Sequence, residues 1–422
     1  MSAKKKTVFK GFDYRRCDDF AKYLGEMAAK GWHFKEWGLG LKFEKGEPEN
    51  AVYAVEVFTD ASEYDLRPEP HTKAFAEYCE AAGWKLIDAK QKFVIFKKIQ
   101  EDAVPILTSE ERLNNVCKEN RFRIWTNLIG HGIMFAMAGF DLFGNLAFEM
   151  HIFSSYRLLF FLFWVAMFAE SLYEAVSFGL WKRKSQRQIA AGEELYLGDK
   201  KSYWVKRFPS TLFLIAALVL AWALNGPWTF YYIAGLLAVL VGFAIVMNKF
   251  RPDADTHYIL QTVLVMVIFV AVLLSGILLG GLVEEDHKQT DAPLLKTDYT
   301  ECATPLEDIT LYEEQNIFGQ SKTYLISYED TETDYNNGIS YDVFTSEYDW
   351  IMNRIWDKYT DFKEGTEVIE CAQEWGAKEA YHKWQSRYIV RYENCILIFD
   401  DYSGITLTQE QIDIIRDKLD LR

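Results

Sequence analysis

The sequence lacks the short motifs that usually mark catalytic sites. It has no Gly-x-x-x-x-Gly-Lys-Ser/Thr loop, no His-Glu-x-x-His and no Gly-x-Ser-x-Gly. The first absence argues against a P-loop nucleotide hydrolase, and the other two lower the odds of a metalloprotease or a serine hydrolase. The seven histidines are scattered without metal-ligand spacing. We therefore predict no metal, no cofactor and no enzymatic activity.

Cysteine is also scarce, with six residues and no Cys-x-x-Cys pair. This spacing gives no support for a zinc ribbon or a dithiol redox site. Cys371 and Cys395 could form a disulfide outside the cell, or both could be free and buried. The sequence leaves these two alternatives open.

Positive charge is sparse in the C-terminal third. From residue 283 onward, 13 Lys and Arg stand against 31 Asp and Glu, and the whole chain has a net charge of −15. Binding to phosphate backbones requires clustered Lys and Arg, so nucleic acid is not an expected partner.

Long apolar runs are present in the middle of the chain. A helix needs about 20 apolar residues to cross the bilayer, and five runs meet or approach that length, while the N-terminus lacks a signal-peptide core. The sequence therefore predicts a transmembrane bundle of five spans within 122–283, with the bilayer as a partner. The spans are 122–143, 158–181, 208–225, 229–247 and 259–283.

The basic residues near these runs alternate from one loop to the next. Under the positive-inside rule, they predict a multi-pass protein of the bacterial plasma membrane, with a cytoplasmic N-terminus and an extracytoplasmic C-terminus.

Ionisable residues within the apolar runs are the main candidates for a functional site. His131 lies in the first predicted span, Glu170 and Glu174 lie one turn apart in the second, and Asp141 lies nearer the end of the first. Such groups normally face protein or water, because lipid does not solvate them. They could form a proton or cation site, or they could only fix the packing of the helices.

Residues 1–105 alternate between strand and helix patterns. The segment Glu26-Met-Ala-Ala-Lys-Gly-Trp recurs as Tyr78-Cys-Glu-Ala-Ala-Gly-Trp. In each copy, we expect a left-handed glycine to end a helix and a tryptophan to begin the next strand. The order predicts a two-layer, ferredoxin-like α+β domain. Trp32, Trp37 and Trp84 could stack on a ligand or belong to the core.

Several segments of this region resemble a bacterial family catalogued as domain of unknown function 2812. They are Lys-Gly-Phe at 10–12, Met-Ala-Ala-Lys-Gly-Trp-His-Phe at 27–34, Phe-Glu-Lys-Gly-Glu-Pro at 43–48 and Ala-Ala-Gly-Trp-Lys at 81–85. The resemblance covers about the first hundred residues. It implies no activity, but members are often encoded beside PadR-type regulators, which implies a regulated membrane system.

The remaining segments complete the predicted organisation. Residues 106–121 are a linker, and residues 284–422 alternate strand and helix patterns, which predicts an extracytoplasmic acidic α+β domain.

Two functions fit this organisation. The first is a non-enzymatic signalling or regulatory module, in which residues 1–105 bind a cytoplasmic protein and residues 284–422 sense an extracellular signal. The alternative is a transporter or transporter subunit with a proton or cation site at His131, Glu170 and Glu174. The sequence indicates no oligomeric state.

Overall fold

The structure, a computed structural model, describes residues 4–144, 147–198, 227–286, 288–301, 306–328, 338–362, 366–383 and 387–421. The chain divides into two compact units. The first comprises Met1–Phe135 and Phe163–Ala271, and the second comprises Ala136–Leu162 and Val272–Arg422.

The N-terminal part of the first unit is a structural duplication. Each repeat has the order strand, helix, strand, strand, and each forms its own three-stranded antiparallel sheet. Repeat 1 contains β1 Lys5–Val8, α1 Cys17–Ala29, β2 Trp32–Trp37 and β3 Leu41–Lys45. Repeat 2 contains β4 Tyr53–Val57, α2 Pro70–Ala81, β5 Trp84–Lys90 and β6 Phe93–Lys98. The strand orders are β1-β3-β2 in sheet A and β4-β6-β5 in sheet B.

The prediction for the recurring helix ends is confirmed. Gly31 and Gly83 follow α1 and α2 with φ angles of 74° and 90°, and Trp32 and Trp84 begin the next strands. The ferredoxin-like prediction is wrong, because two separate three-stranded sheets replace the single sheet of that fold. A one-dimensional pattern gives the order of strands but does not determine which strands pair.

Helix α1 lies at the centre of the larger N-terminal core. It packs against β2 of its own repeat and against β4 of the other. Phe20 and Leu24 of α1 are fully buried there, together with Phe43 of sheet A and Ile95 of sheet B. The opposite face of sheet B packs on α2 through Cys79, Trp84, Val94 and Phe96.

Helices complete the first unit. They are α6 Pro227–Phe250 and the larger parts of α3 Ser109–Phe143, α5 Ser155–Ala190 and α7 Ala254–Asp286. The end of α3, the start of α5, the end of α7 and the short α4 Phe148–His151 belong to the second unit. Leu113 and Val116 of α3, and Leu195 and Leu197 after α5, are buried in the core around α1. The core of the N-terminal domain therefore extends beyond the predicted boundary at residue 105.

The prediction of a five-span bundle is wrong. Among the described residues, α5 alone is long and apolar enough to cross a membrane. The described apolar parts of α6 and α7, Ala234–Phe250 and Ala254–Ile268, are shorter than the required length. The 122–143 run lies in α3 but carries Arg123, His131 and Asp141. The run at 208–225 lies outside the described residues.

The second unit is built on an eight-stranded antiparallel sheet in the order β11-β12-β13-β14-β10-β9-β8-β7. Its strands are β7 Lys288–Gln289, β8 Leu306–Asn316, β9 Gly319–Tyr328, β10 Ile339–Thr345, β11 Val368–Glu370, β12 Glu379–Lys383, β13 Arg387–Arg391 and β14 Cys395–Asp401. Its helices in this region are α8 Lys296–Tyr299, α9 Asp349–Thr360, α10 Ala372–Trp375 and α11 Gln409–Lys418.

Both faces of this sheet are covered. Tyr341 and Phe399 point into a core shared with α10 and α11, and Phe344 and Ile398 point into a core shared with α9. Side chains alternate between the faces of a strand, so consecutive apolar residues of β14, from Ile396 to Phe399, enter the two cores in turn. The short β7 and α8 precede the long strands of this sheet in the sequence.

Candidate functional site

Within the described residues, His131 is hydrogen-bonded to a serine and not to the glutamates that the sequence placed near it. Its Nδ1 lies 2.6 Å from the hydroxyl oxygen of Ser171, and its ring lies 5.9 Å from that of Trp164. Ser171 is buried and lies in α5 between the two predicted glutamates. The histidine therefore joins α3 to α5 through a neutral hydroxyl.

The two glutamates have different surroundings. A carboxylate oxygen of Glu174 accepts a hydrogen bond from Arg123 at 3.0 Å, and the same guanidinium nitrogen donates to Asn120. Glu170 is half-buried one turn earlier. In the part of the chain that the structure describes, neither carboxylate is hydrogen-bonded to His131. These contacts resemble a polar clamp between two helices, and the proton or cation site stays a prediction.

Asp141 belongs to the second unit. It forms an ion pair with Arg157, and its backbone oxygen lies 2.9 Å from Nδ1 of His151. It is thus neutralised locally and is not part of the group around His131.

Cys371 and Cys395 are both free thiols, so the disulfide that the sequence allowed is not formed. Burial raises the pKa of each thiol to about 12. Burial also raises the pKa of Cys79 to about 11. Because the thiolate is the nucleophilic form, these three side chains are poorly suited to thiol chemistry at neutral pH.

A polar site in the described part of the first unit was not predicted. Arg251, in the connection between α6 and α7, reaches both repeats of the N-terminal domain. Its Nη2 donates to the carboxylate of Asp88 at 2.9 and 3.2 Å, and its Nη1 lies 3.6 Å from Glu36. It also donates to the backbone oxygens of Leu66 and Ala89. We call this arrangement the Arg251 junction.

The same junction joins sheet A to sheet B. The backbone N–H of Trp37, at the end of β2, donates to Asp88 of β5 at 2.6 Å. The Lys90 ammonium donates to the backbone oxygen of Gly38 and to the side chain of Asn248 in α6, each at 2.6 Å. One carboxylate and one ammonium therefore connect two sheets and the end of a helix.

Burial dominates the electrostatics of the junction. It raises the pKa of Asp88 even though Arg251 opposes the shift. Burial, reinforced by the nearby Arg251 charge, lowers the pKa of Lys90 to about 8. Such an arrangement responds to displacement, because separating Arg251 from Asp88 would leave a buried charge without a partner.

A second ionic contact attaches α3 to the domain. Arg112 donates to Asp18 of α1 at 2.6 Å and to Glu56 of β4 at 2.9 Å. Asp18 also accepts from the backbone N–H of Leu197 at 2.6 Å. Burial raises the pKa of Glu56 to about 7, against the opposing effect of Arg112.

A known family model matches part of the N-terminal domain. Residues 16–129 match the DUF2812 family. The family model is described as "Protein of unknown function (DUF2812)". The match confirms the resemblance seen in the sequence and extends through Arg112 into α3. We call residues 16–129 the DUF2812 region. No curated protein and no solved structure matches the chain.

The tryptophans of the DUF2812 region contribute to its core. Trp84 is buried, and its indole N–H donates to the backbone oxygen of Val104 at 2.6 Å. Trp37 packs edge-on against Phe20, and its ring centroid lies 5.4 Å from that of Phe93. These contacts favour the core interpretation over a ligand-stacking surface.

Proposed function

We propose that this protein is a non-enzymatic, membrane-attached regulatory module. Its DUF2812 region binds a cytoplasmic protein and couples that binding to the position of the helices. The Arg251 junction carries this proposal, because one side chain from the α6–α7 connection contacts acidic residues of both repeats. A shift of α6 would change the contact between sheet A and sheet B.

Helix α5 supports attachment to a membrane. It is 36 residues long, and the basic run Lys182-Arg183-Lys184 follows its apolar part. Basic residues favour the cytoplasmic side of a membrane helix. Leu195 and Leu197, shortly after this run, are buried in the N-terminal core. This core and the basic end of α5 therefore lie on one side of the membrane, which is the cytoplasmic side in this proposal.

An exposed apolar pair beside the junction is suited to a protein partner. Phe9 and Leu39 have 72% and 48% of their surfaces exposed. Gly40 lies against Val8 and against Phe9, which follows β1, and Gly38 accepts the hydrogen bond from Lys90 through its backbone oxygen. A partner on this pair would thus contact the turn that is bonded to the junction.

Affinity capture with the full-length protein tests the partner. Wild type should retain a cytosolic protein, and a Phe9→Ser/Leu39→Ser variant should lose it, because the apolar contact is removed. A Val52→Ser/Ile99→Ser variant is the matched control, since these residues are similarly exposed elsewhere on the same domain. Failure of both wild type and control to retain any cytosolic protein would contradict the proposal.

Coupling has its own test. Arg251→Gln does not alter the side chains of Phe9 and Leu39 but removes the charge that joins the repeats to α6. We expect weaker retention of the partner by this variant. Unchanged retention would show that partner binding is independent of the helices.

Placement in the membrane can be tested by labelling with a membrane-impermeant maleimide. Tyr78 and Tyr402 are exposed, and Tyr78→Cys and Tyr402→Cys would report on the N-terminal and C-terminal domains. We expect labelling of intact cells for Tyr402→Cys and only of permeabilised cells for Tyr78→Cys. The reverse pattern would overturn the orientation, including the extracytoplasmic sensor role proposed for residues 284–422.

Transport through His131, Glu170 and Glu174 is the less supported function, because Glu174 is paired with Arg123 and His131 with Ser171. If the transporter hypothesis holds, Glu170→Gln/Glu174→Gln should abolish proton or cation flux in liposomes. Unchanged flux would assign both carboxylates to packing.

A further inference from the structure

A cleft of about 480 Å³ lies between α3 and α5. Its α3 side is one helical stripe, with Asn114, Lys118, Arg121 and Trp125 at spacings of three and four residues. Phe178 and Lys182 form the α5 side, one turn apart. The cleft is therefore lined by two antiparallel helices that also meet through Arg123 and Glu174.

The charge lining this cleft has one sign. Lys118, Arg121 and Lys182 contribute three cations, and no Asp or Glu is among the residues that line the cleft. All three side chains are exposed. Within the described residues, none of the three has a hydrogen bond or an ion pair. Three unneutralised cations in one concavity favour an anion.

Large aromatic side chains lie beside these cations. Phe122 and Trp125 have 76% and 54% of their surfaces exposed, and Phe178 lines the opposite wall. Aromatic residues flanked by Lys and Arg are typical of the boundary between hydrocarbon and headgroups. An anion that also carries apolar chains could contact both the cations and the aromatic side chains of the cleft.

The position of the cleft along α5 identifies that anion. Lys182 is the first basic residue after the apolar part of the helix that is long enough to cross a membrane. Phosphates of a bilayer lie at this level, where a helix leaves the hydrocarbon. Clusters of Lys and Arg just cytoplasmic of a membrane helix bind anionic lipid headgroups.

We propose that this cleft binds one anionic phospholipid. Lys118, Arg121 and Lys182 contact its phosphate, and Phe122, Trp125 and Phe178 contact its glycerol and upper acyl chains. The inference rests on the membrane attachment proposed above. It adds a specific lipid-binding site on the part of α3 that belongs to the DUF2812 region.

Native mass spectrometry of the full-length protein in detergent tests the site. The probes are added phosphatidylglycerol and, as a zwitterionic lipid with the same chains, phosphatidylcholine. Wild type should retain phosphatidylglycerol preferentially. Lys118→Gln/Arg121→Gln/Lys182→Gln should weaken that retention by about fivefold per removed cation and bring it to the level of phosphatidylcholine.

Two control variants separate the site from general charge and from misfolding. Arg183→Gln/Lys184→Gln/Arg187→Gln removes the same charge from the same helix outside the cleft and should keep the preference. Lys118→Arg/Arg121→Lys/Lys182→Arg keeps every charge and should also keep it. Equal losses in both neutralised triple variants would overturn the proposal, because binding would then follow net charge only.

Competition identifies the source of the phosphate. Inorganic phosphate at millimolar concentration should not displace the lipid, because it lacks the acyl chains that contact the aromatic wall. Displacement would make the cleft a site for a soluble anion and would overturn the lipid assignment. Extraction of cell membranes at alkaline pH tests attachment separately. If the chain is released, the proposed membrane function fails, and the detergent measurement still decides whether the cleft prefers anionic lipid.

Discussion

Repeat 1 and repeat 2 of the N-terminal domain have the same topology but different surroundings. The helix ends at a left-handed glycine in both, and a register shift interrupts the second strand, between Phe34 and Glu36 in β2 and between Leu86 and Asp88 in β5. Sheet B is covered on both faces by α1 and α2, whereas ion pairs such as Lys35–Glu44 lie on the outer side of sheet A.

The acidic residue after each register shift shows how the different burial of the two sheets affects a carboxylate pKa. Glu36 is 41% exposed and accepts from Lys42 at 2.6 Å, and this hydrogen bond lowers its pKa. Asp88 is 5% exposed, and burial raises its pKa despite the bond to Arg251. Two carboxylates at equivalent positions thus have pKa values shifted in opposite directions, because the loss of solvation outweighs ion pairing only at Asp88.

The largest expected effect comes from removing the cation that pairs with the acid of repeat 2. Arg251→Met should lower the free energy of unfolding of the N-terminal domain by about 3–5 kcal/mol, because it leaves the Asp88 carboxylate buried without a partner. Urea unfolding of the full chain, followed by tryptophan fluorescence, measures it. Arg251→Lys is the control and should lose less. A loss below about 1 kcal/mol for Arg251→Met would show that the junction is solvated.

The shared glycines should behave alike in the two repeats. Gly31→Ala and Gly83→Ala should each cost about 2–4 kcal/mol, from the left-handed backbone and from overpacking. An added Cβ would lie 2.7 Å from the Gly46 backbone oxygen in the first case and 2.7 Å from the Ala103 Cβ in the second.

Gly179→Ala is the matched control for both variants. It lies inside α5 with no atom within 4 Å of an added Cβ, so it should be neutral or slightly stabilising. Thermal unfolding midpoints of the three variants measure whether the two repeats lose similar stability and whether the control keeps that of wild type. A large loss in only one repeat would contradict their equivalence.

The acids should also give opposite pH dependences. The raised pKa of Asp88 means that its contribution to stability is greatest below its unfolded pKa and is lost as pH rises through its folded pKa. The lowered pKa of Glu36 means that its contribution is present above its unfolded pKa and is lost as pH falls.

The difference in free energy of unfolding between wild type and each variant isolates the contribution of one carboxylate. The difference between wild type and Asp88→Asn in free energy of unfolding should fall with rising pH in the acidic range. The difference between wild type and Glu36→Gln should rise there. Slopes of the same sign would show that burial does not distinguish the two sites.

The smallest effect should come from the exposed cation of repeat 1. Lys42→Met removes the partner of Glu36, and both side chains are more than 40% exposed. Exposed ion pairs contribute about 0–1 kcal/mol, so the variant should unfold within about 1 kcal/mol of wild type. A loss of unfolding free energy near that of Arg251→Met would mean that another molecule covers sheet A and buries this ion pair.

The local structure of the DUF2812 region could be predicted from sequence because its signals are local. Gly31 and Gly83 mark helix ends, and alternating apolar residues mark β3 and β4. The pairing into two sheets could not be predicted, since it depends on contacts between distant segments such as α1 with β4.

The Arg251 junction and the outer core residues were missed for a related reason. Arg251 follows an apolar run and was counted only as a residue that orients a membrane helix. Leu195 and Leu197 alternate with polar residues, which was the available signal for an extended segment packed on a core. In β8, glutamates lower the apolar content, and the alternation of Ile309 and Leu311 is the remaining signal for a strand.

The five-span prediction failed because length and hydropathy were read from runs of residues instead of helices. The run at 122–143 belongs to a helix that begins at Ser109 and is bonded to the domain by Arg112. Of the predicted site, His131, Glu170 and Glu174 do fall on facing helices. Their partners, Ser171 and Arg123, could not be chosen from spacing, because several rotations of the two helices satisfy it.

The burial of Leu195 and Leu197 has a consequence for biosynthesis. The last strand of the domain ends at Lys98, so the ribosome must add about 100 further residues before these leucines exist, which takes about 5–20 s. Helices α3 and α5 are synthesised within that interval. The domain therefore completes its core only after α5, the helix long enough to cross a membrane, has been synthesised. Complete packing of the domain thus requires that synthesis has continued beyond α5.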